Sequence, residues 1–151
     1  MPRSKSKLQA AAFGGTPDDI EMAFYEALRS GSLEKLMDCW ADEDEIACIH
    51  PGGHRLIGAN EIRASFEAMF ANGGVPATPA HIRRVDSIAS AVHHVLEQVE
   101  VITPDGLVQA YVMATNVYHK TAQGWRLVVH HASPGMLDEA QKVADGPKVL
   151  H

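Results

Sequence analysis

The sequence predicts an α+β domain in which helices cover one face of an antiparallel sheet. Two observations carry this prediction. Apolar residues recur at helical spacing through most of the first half of the chain, and from Pro79 onward they recur in long strand-like runs broken by short turns. The two patterns are segregated rather than alternating, which argues for helices packed on one side of an antiparallel meander.

Each element has its own signal. Thr16-Pro17-Asp18-Asp19 is a helix start: Thr16 caps, Pro17 suits the first helical position, and the two acids favour the positive helix end. Ile20, Ala23, Phe24, Ala27 and Leu28 follow on one stripe, and Gly31 ends the run. Ser32 opens a second, short helix with Leu33, Leu36, Met37 and Trp40. After the acidic turn Ala41–Glu45, Ile46–His50 reads as a buried strand, Pro51-Gly52-Gly53 as a turn and His54–Ile57 as a short strand. Gly58-Ala59-Asn60 opens a third helix bearing Ile62, Phe66, Met69 and Phe70. Long strands are expected at Ala80–Ser90, Val92–Ile102, Val108–Lys120 and Trp125–Ser133. The domain is thus expected over 16–135, between a disordered N-terminal arm at 1–15 and a C-terminal tail at 136–151.

The last hairpin allows a finer reading. Gly124 suits the left-handed position of a three-residue loop, which sets Thr121 opposite Trp125. Tyr111, Met113, Thr115 and Val117 then share a face with Trp125, Leu127, Val129, His131 and Ser133. Val112, Ala114, Asn116 and Tyr118 share the other with Arg126, Val128, His130 and Ala132. The first face is bulkier and is expected to receive the helices. The second is flatter, and a second copy of the chain is expected to cover it.

Composition narrows the function classes. The 151 residues are 46% hydrophobic and 21% charged, enough for one core without metal or disulfide. Thirteen basic residues against nineteen acidic ones give a charge of −6, which disfavours nucleic acid and anionic membranes. No apolar run approaches the roughly 18 residues of a membrane span. Cys39 and Cys48 match no zinc spacing and read as buried free thiols. A cytoplasmic protein without cofactor or metal is expected.

The block Ala114-Thr115-Asn116-Val117-Tyr118, followed by Gly124-Trp125-Arg126-Leu127-Val128-Val129-His130-His131-Ala132-Ser133-Pro134, resembles the end of SnoaL-like domains of the nuclear transport factor 2-like superfamily. Ile49-His50-Pro51-Gly52-Gly53, Leu56-Ile57-Gly58 and the helix with Ile62 and Phe66 resemble them too, so the likeness runs from about Pro17 to Pro134. The last strand is also similar to that of the association domain of calcium/calmodulin-dependent kinase II. The resemblance implies a cone-shaped fold, a curved sheet wrapped around the N-terminal helices, with a pocket in the cone and dimers in most members. It implies no particular reaction, because family members include isomerases, cyclases, dehydratases and non-catalytic assembly domains. The isomerases' carboxylate base, Tyr and protonated Asp are not matched by any strand tyrosine with two acids at corresponding positions.

Candidate site residues follow from placement. His131, between Val129 and Ser133, and His50, at the end of the first strand, are candidate acid–base groups, since imidazole titrates near neutrality. The alternative is a core histidine at 131, bonded to Thr115 or Ser133, and a turn-stabilising one at 50. Tyr25, Trp40, Tyr111, Met113, Thr115 and Ser133 are candidate pocket-lining residues; core packing is the favoured alternative for Tyr25 and Trp40, and a purely structural hydrogen bond is the equal alternative for Tyr111. His50 and His54 form only a pair with no acid at obvious spacing to join them on a metal, and His93 and His94 point to opposite faces and cannot chelate together. The sequence-level expectation is a pocket for a small apolar or aromatic ligand, used either for cofactor-free acid–base chemistry on an apolar carbonyl compound or for binding and assembly alone.

Overall fold

The computed structural model describes residues 15–135, so the tail expected at 136–151, and all but the last residue of the expected arm, lie outside the described residues. Helix α1 (Pro17–Ser30) starts in a reciprocal cap: Thr16 Oγ1 accepts from the Asp19 amide at 3.3 Å, and Asp19 Oδ2 accepts from the Thr16 amide at 3.0 Å. It stops at Gly31, whose φ of 69° is the left-handed conformation that closes helices. Its buried stripe holds Ile20, Glu21, Phe24, Tyr25 and Leu28. Four of these are apolar or aromatic and one is a carboxylate, a departure that matters below.

Helix α2 (Leu33–Asp38) packs beside α1, and strands β1 (Ala47–Ile49) and β2 (Leu56–Ile57) follow. Helix α3 (Ala59–Met69) buries Ile62 and Phe66 and tightens into a 3₁₀ turn at Phe70–Asn72. Gly74 then passes so close to the end of α1 that a Cβ there would overlap the Arg29 carbonyl; a side chain cannot replace it without moving the chain.

Strands β3 (Ala77–Asp86), β4 (Ser90–Thr103), β5 (Gly106–Thr121) and β6 (Gly124–Pro134) form the meander. The sheet order is β2-β1-β6-β5-β4-β3; β1 runs parallel to β6 and every other pair is antiparallel. The α+β class read from the sequence is the observed one. The strand expected at Ala80–Ser90 begins three residues earlier and ends four earlier, with Pro79 inside it. A proline is tolerated there because β3 is an edge strand, where a missing donor interrupts no inner ladder.

The face assignment of the last two strands needs correction. Thr115 pairs with His131 as expected, but the hairpin end pairs Thr121 with Gly124, and the register shifts between Val117 and Tyr118. Val128 is the extra residue, since Tyr118 pairs with Leu127 while Val117 pairs with Val129. A bulge of one residue reverses which side chains point inward beyond it. Trp125 and Leu127 therefore face the helices as expected, but so do His130 and Ala132, with Ala114, Asn116 and Tyr118 opposite. His131 and Ser133 lie exposed on the outer face, and Thr115 and Val117 are half-buried there. The flatter face expected to await a second copy is the one the helices cover, because it carries the polar groups that α1 satisfies.

Candidate functional site

Four side chains from the sheet meet two from α1 in the interior. Strand β4 sends His93 and Glu97 inward at alternate positions, and β5 sends Asn116 and Tyr118 from the neighbouring strand. Helix α1 presents Glu21 and Tyr25, one turn apart and on the same face. Tyr25 Oη donates to Glu97 Oε2 at 2.6 Å, and Tyr118 Oη donates to Glu21 Oε2 at 2.6 Å. Asn116 Nδ2 joins the two pairs, donating to Tyr25 Oη at 3.1 Å and to Glu21 Oε2 at 3.3 Å. The other Glu21 oxygen meets His93 Nδ1 at 3.0 Å.

From β6, His130 Nδ1 donates to Asn116 Oδ1 at 2.6 Å, since Oδ1 is acceptor-only. That bond fixes the tautomer and leaves Nε2 with its lone pair. His130 sits against the Phe24 ring at 5.1 Å, and Phe24 in turn meets Tyr25 and Phe66 edge-on. The arrangement is a polar chain laid along an aromatic wall.

Electrostatics separate the roles of these groups. Burial pushes the Glu97 carboxyl up to about 7, with the nearby Glu21 charge adding to the rise and the Tyr25 hydrogen bond opposing it. Both the acid and the ionised form of Glu97 are therefore populated at neutral pH. Burial pushes the His130 imidazole down to about 3, so it stays neutral and serves as an acceptor rather than a base. Burial likewise raises Tyr25 and Tyr118 well above the usual phenol range, so both remain donors. Cys39 and Cys48 are buried and pushed up to about 12, which leaves them inert at neutral pH.

The residues singled out in the sequence fall in three places. Tyr25 belongs to the interior network. His50 is half-buried near it: its Nε2 donates to Ser65 Oγ at 3.0 Å, its ring stands edge-on to Phe66 at 5.0 Å, and burial lowers its pKa. Trp40 is buried in the core with Nε1 lacking a partner among the described residues. His131, Tyr111, Met113, Thr115 and Ser133 lie on the outer face, away from the helices. There Thr115 Oγ1 meets His94 Nδ1 at 3.3 Å, Tyr111 Oη donates to Gln109 at 3.3 Å and Ser133 Oγ approaches the Met113 carbonyl at 3.5 Å.

Glu21, Glu97, Asn116 and Tyr118 are not among the site residues the sequence singles out, and His93 enters there only as one that cannot chelate together with His94. Their signal was present. Glu97 interrupts the inward alternation of Ala91, His93, Val95 and Val99, and Glu21 interrupts the apolar stripe of α1. Two acids at core positions require partners, and each finds a tyrosine.

The likeness to known proteins agrees with this architecture. A crystal structure from Thiobacillus denitrificans, provisionally described as a calcium/calmodulin-dependent protein kinase type II association domain, is 35% identical; the match covers 80% of this chain and 96% of that one, with a TM-score of 0.73. Another from Streptomyces avermitilis, provisionally described as a dehydratase of the NTF2-like family, is 29% identical over 80% of this chain and 99% of that one, with a TM-score of 0.69. The F-box protein SKIP8 of Arabidopsis thaliana is 23% identical over 131 residues, 82% of this chain; the chain spans about half of that relative, 52% of its length. No helix of the described residues is long and apolar enough to cross a membrane. With the fold, and a match to the SnoaL-like domain over residues 19–137, the chain belongs to the SnoaL-like family of the nuclear transport factor 2-like superfamily.

Proposed function

We propose that this domain holds a small apolar carbonyl compound against the inner face of the sheet and moves a proton on it without a cofactor. The observation that carries this reading is the Tyr25–Glu97 pair: a carboxyl at about 7, buried beside a tyrosine that donates to it at 2.6 Å. In the ionised form Glu97 removes a proton from the carbon beside a ligand carbonyl, and in the acid form it returns the proton to a neighbouring position. The charge that develops on the ligand oxygen needs a donor, and the Tyr25 hydroxyl is free to turn to it once Glu97 is protonated. His130 Nε2 accepts from a ligand hydroxyl, and the Phe24 and Phe66 rings pack against an apolar or aromatic skeleton. His50, beside Phe66, lines the same region.

The test is proton exchange. Incubation with a panel of small cyclic and aromatic ketones in heavy water, followed by mass spectrometry, is expected to show deuterium entering beside the carbonyl of at least one compound. Glu97→Gln is expected to abolish that exchange while leaving the fold intact. Exchange that survives in Glu97→Gln contradicts the role given to this carboxyl.

A second reading is favoured by the 35% identity to a protein described as an association domain. Under it the domain assembles with a second copy through the outer sheet face, where Val92, Val117, Val129 and Ala47 form a cross-strand apolar row. Sedimentation separates the two readings. A stable assembly in a protein with no exchange activity favours the second, and exchange in a monomer favours the first.

A further inference from the structure

At the end of the network nearest the start of α1, one imidazole nitrogen has no partner. His93 is 1% exposed, and its Nδ1 is engaged by Glu21 Oε1 at 3.0 Å, whereas Nε2 bonds to nothing among the described residues. Glu21 Oε2 already accepts from Tyr118 and Asn116, so the carboxylate acts as an acceptor throughout and His93 carries its proton on Nδ1. The Nε2 lone pair is left buried and without a partner among the described residues. Facing it at 3.9 Å is Asp18 Oδ1, from a side chain half exposed to solvent. That gap is too long for a hydrogen bond, and closing it by roughly half an ångström, within reach of the half-exposed Asp18 side chain, brings the two atoms to the spacing of neighbouring ligands on one tetrahedral ion.

We propose that Asp18 and His93 bind a divalent transition metal, with Glu21 holding the imidazole from behind. The donor set fits an ion of the zinc class. One neutral imidazole and one carboxylate suit Zn²⁺, Co²⁺ or Mn²⁺ better than Ca²⁺ or Mg²⁺, which prefer oxygen alone. The carboxylate behind the histidine is the arrangement that fixes the tautomer of metal-binding imidazoles and raises their basicity. Atoms of Asp18, Glu21 and His93 all lie within 4.8 Å of one another, and Asp18 sits at the solvent edge, which gives the ion a way in. The remaining positions belong to water or to a ligand. This site is separate from Glu97 and does not depend on the reaction proposed above.

One group opposes the ion. Arg84, from β3, donates to Asp18 Oδ1 at 2.9 Å and competes for the same oxygen. Arg84 is 40% exposed and can swing into water when the ion arrives. The competition gives the site a signature that adventitious binding lacks: removing a positive side chain should tighten binding beyond a general charge effect, and only at this site.

The experiment titrates the full chain, freed of metal by chelator and dialysis, with Co²⁺ alone, following absorption and the ring signals of His93 by NMR. One ion per chain is expected, with His93 broadened first. Asp18→Asn, at a half-exposed position where folding is not at stake, should weaken binding at least about tenfold, since losing a direct ligand costs no less than the roughly 10–100-fold of an outer-shell change. His93→Gln should lose the site altogether, and Arg84→Ala should tighten it. The exposed histidines His54, His81, His94, His119 and His131 offer the competing explanation. Binding that is unchanged in Asp18→Asn and Arg84→Ala, or that broadens an exposed histidine before His93, overturns the proposal, as does an absence of binding at millimolar Co²⁺.

Discussion

His130 and His131 are adjacent in the chain and live in different solvents. His130 is 4% exposed, bonded to Asn116 and pressed on Phe24, and burial holds its pKa near 3. His131 lies exposed on the outer face of the same strand. The two faces differ less in hydrophobicity than in connection. Inside, each carboxylate and tyrosine hydroxyl of the network has a named partner; outside, polar groups meet water or one neighbour. The difference teaches that the buried face of this sheet is recognised by polar groups that need each other, and not by bulk.

The largest effect is expected where the inside is broken. Glu21→Ala removes the acceptor of Tyr118, Asn116 and His93 together. Leaving such donors buried and unpaired should cost about 3–5 kcal/mol, read as a lower denaturation midpoint in urea. A loss below about 1 kcal/mol would mean that water reaches the network freely. His130→Ala comes next, with a cavity and an orphaned Asn116 oxygen, at roughly 2–4 kcal/mol. His131→Ala on the outer face should stay within about 0.5 kcal/mol. Equal losses at both histidines would erase the distinction between the faces.

That contrast also marks what the sequence could tell. Helix α1 was legible to the residue, because Thr16, Pro17 and Gly31 each carry a local conformational signal. Strand β3 was legible in kind and shifted in place, because an edge position excuses Pro79. The face assignment failed on Val128: a bulge has no signature in an apolar run such as Leu127-Val128-Val129, yet it reverses every residue after it. The network failed for another reason. Glu21 and Glu97 are 76 positions apart by their numbering, and only the packing of α1 on β4 and β5 shows that each is answered by a tyrosine.

Smaller effects sharpen the account. Tyr118→Phe keeps the ring and deletes one hydrogen bond to Glu21, and roughly 1.5–3 kcal/mol is expected from a bond to a charged group. Glu97→Gln tests linkage. The carboxyl at about 7 in the fold titrates from 4.5 in the reference state, so the folded chain binds more protons between these values. Its contribution is therefore full below about 4.5 and is lost as pH rises through 7. The Gln variant lacks that loss, so its melting temperature should gain on the parent's as pH climbs from 5 to 8, on the order of a few degrees. A parallel pair of curves would show that Glu97 titrates normally.

The proton on Glu97 is the centre of the functional reading, and it can be observed directly. Carbon-13 NMR of the side-chain carboxyl, followed through a pH titration of the folded chain, is expected to show a midpoint near 7, moving toward lower pH when Glu21→Gln removes the neighbouring charge. A midpoint near 4.5, the ordinary value for this side chain, would contradict the account, because the carboxyl would then be fully ionised at neutral pH and hold no proton to transfer.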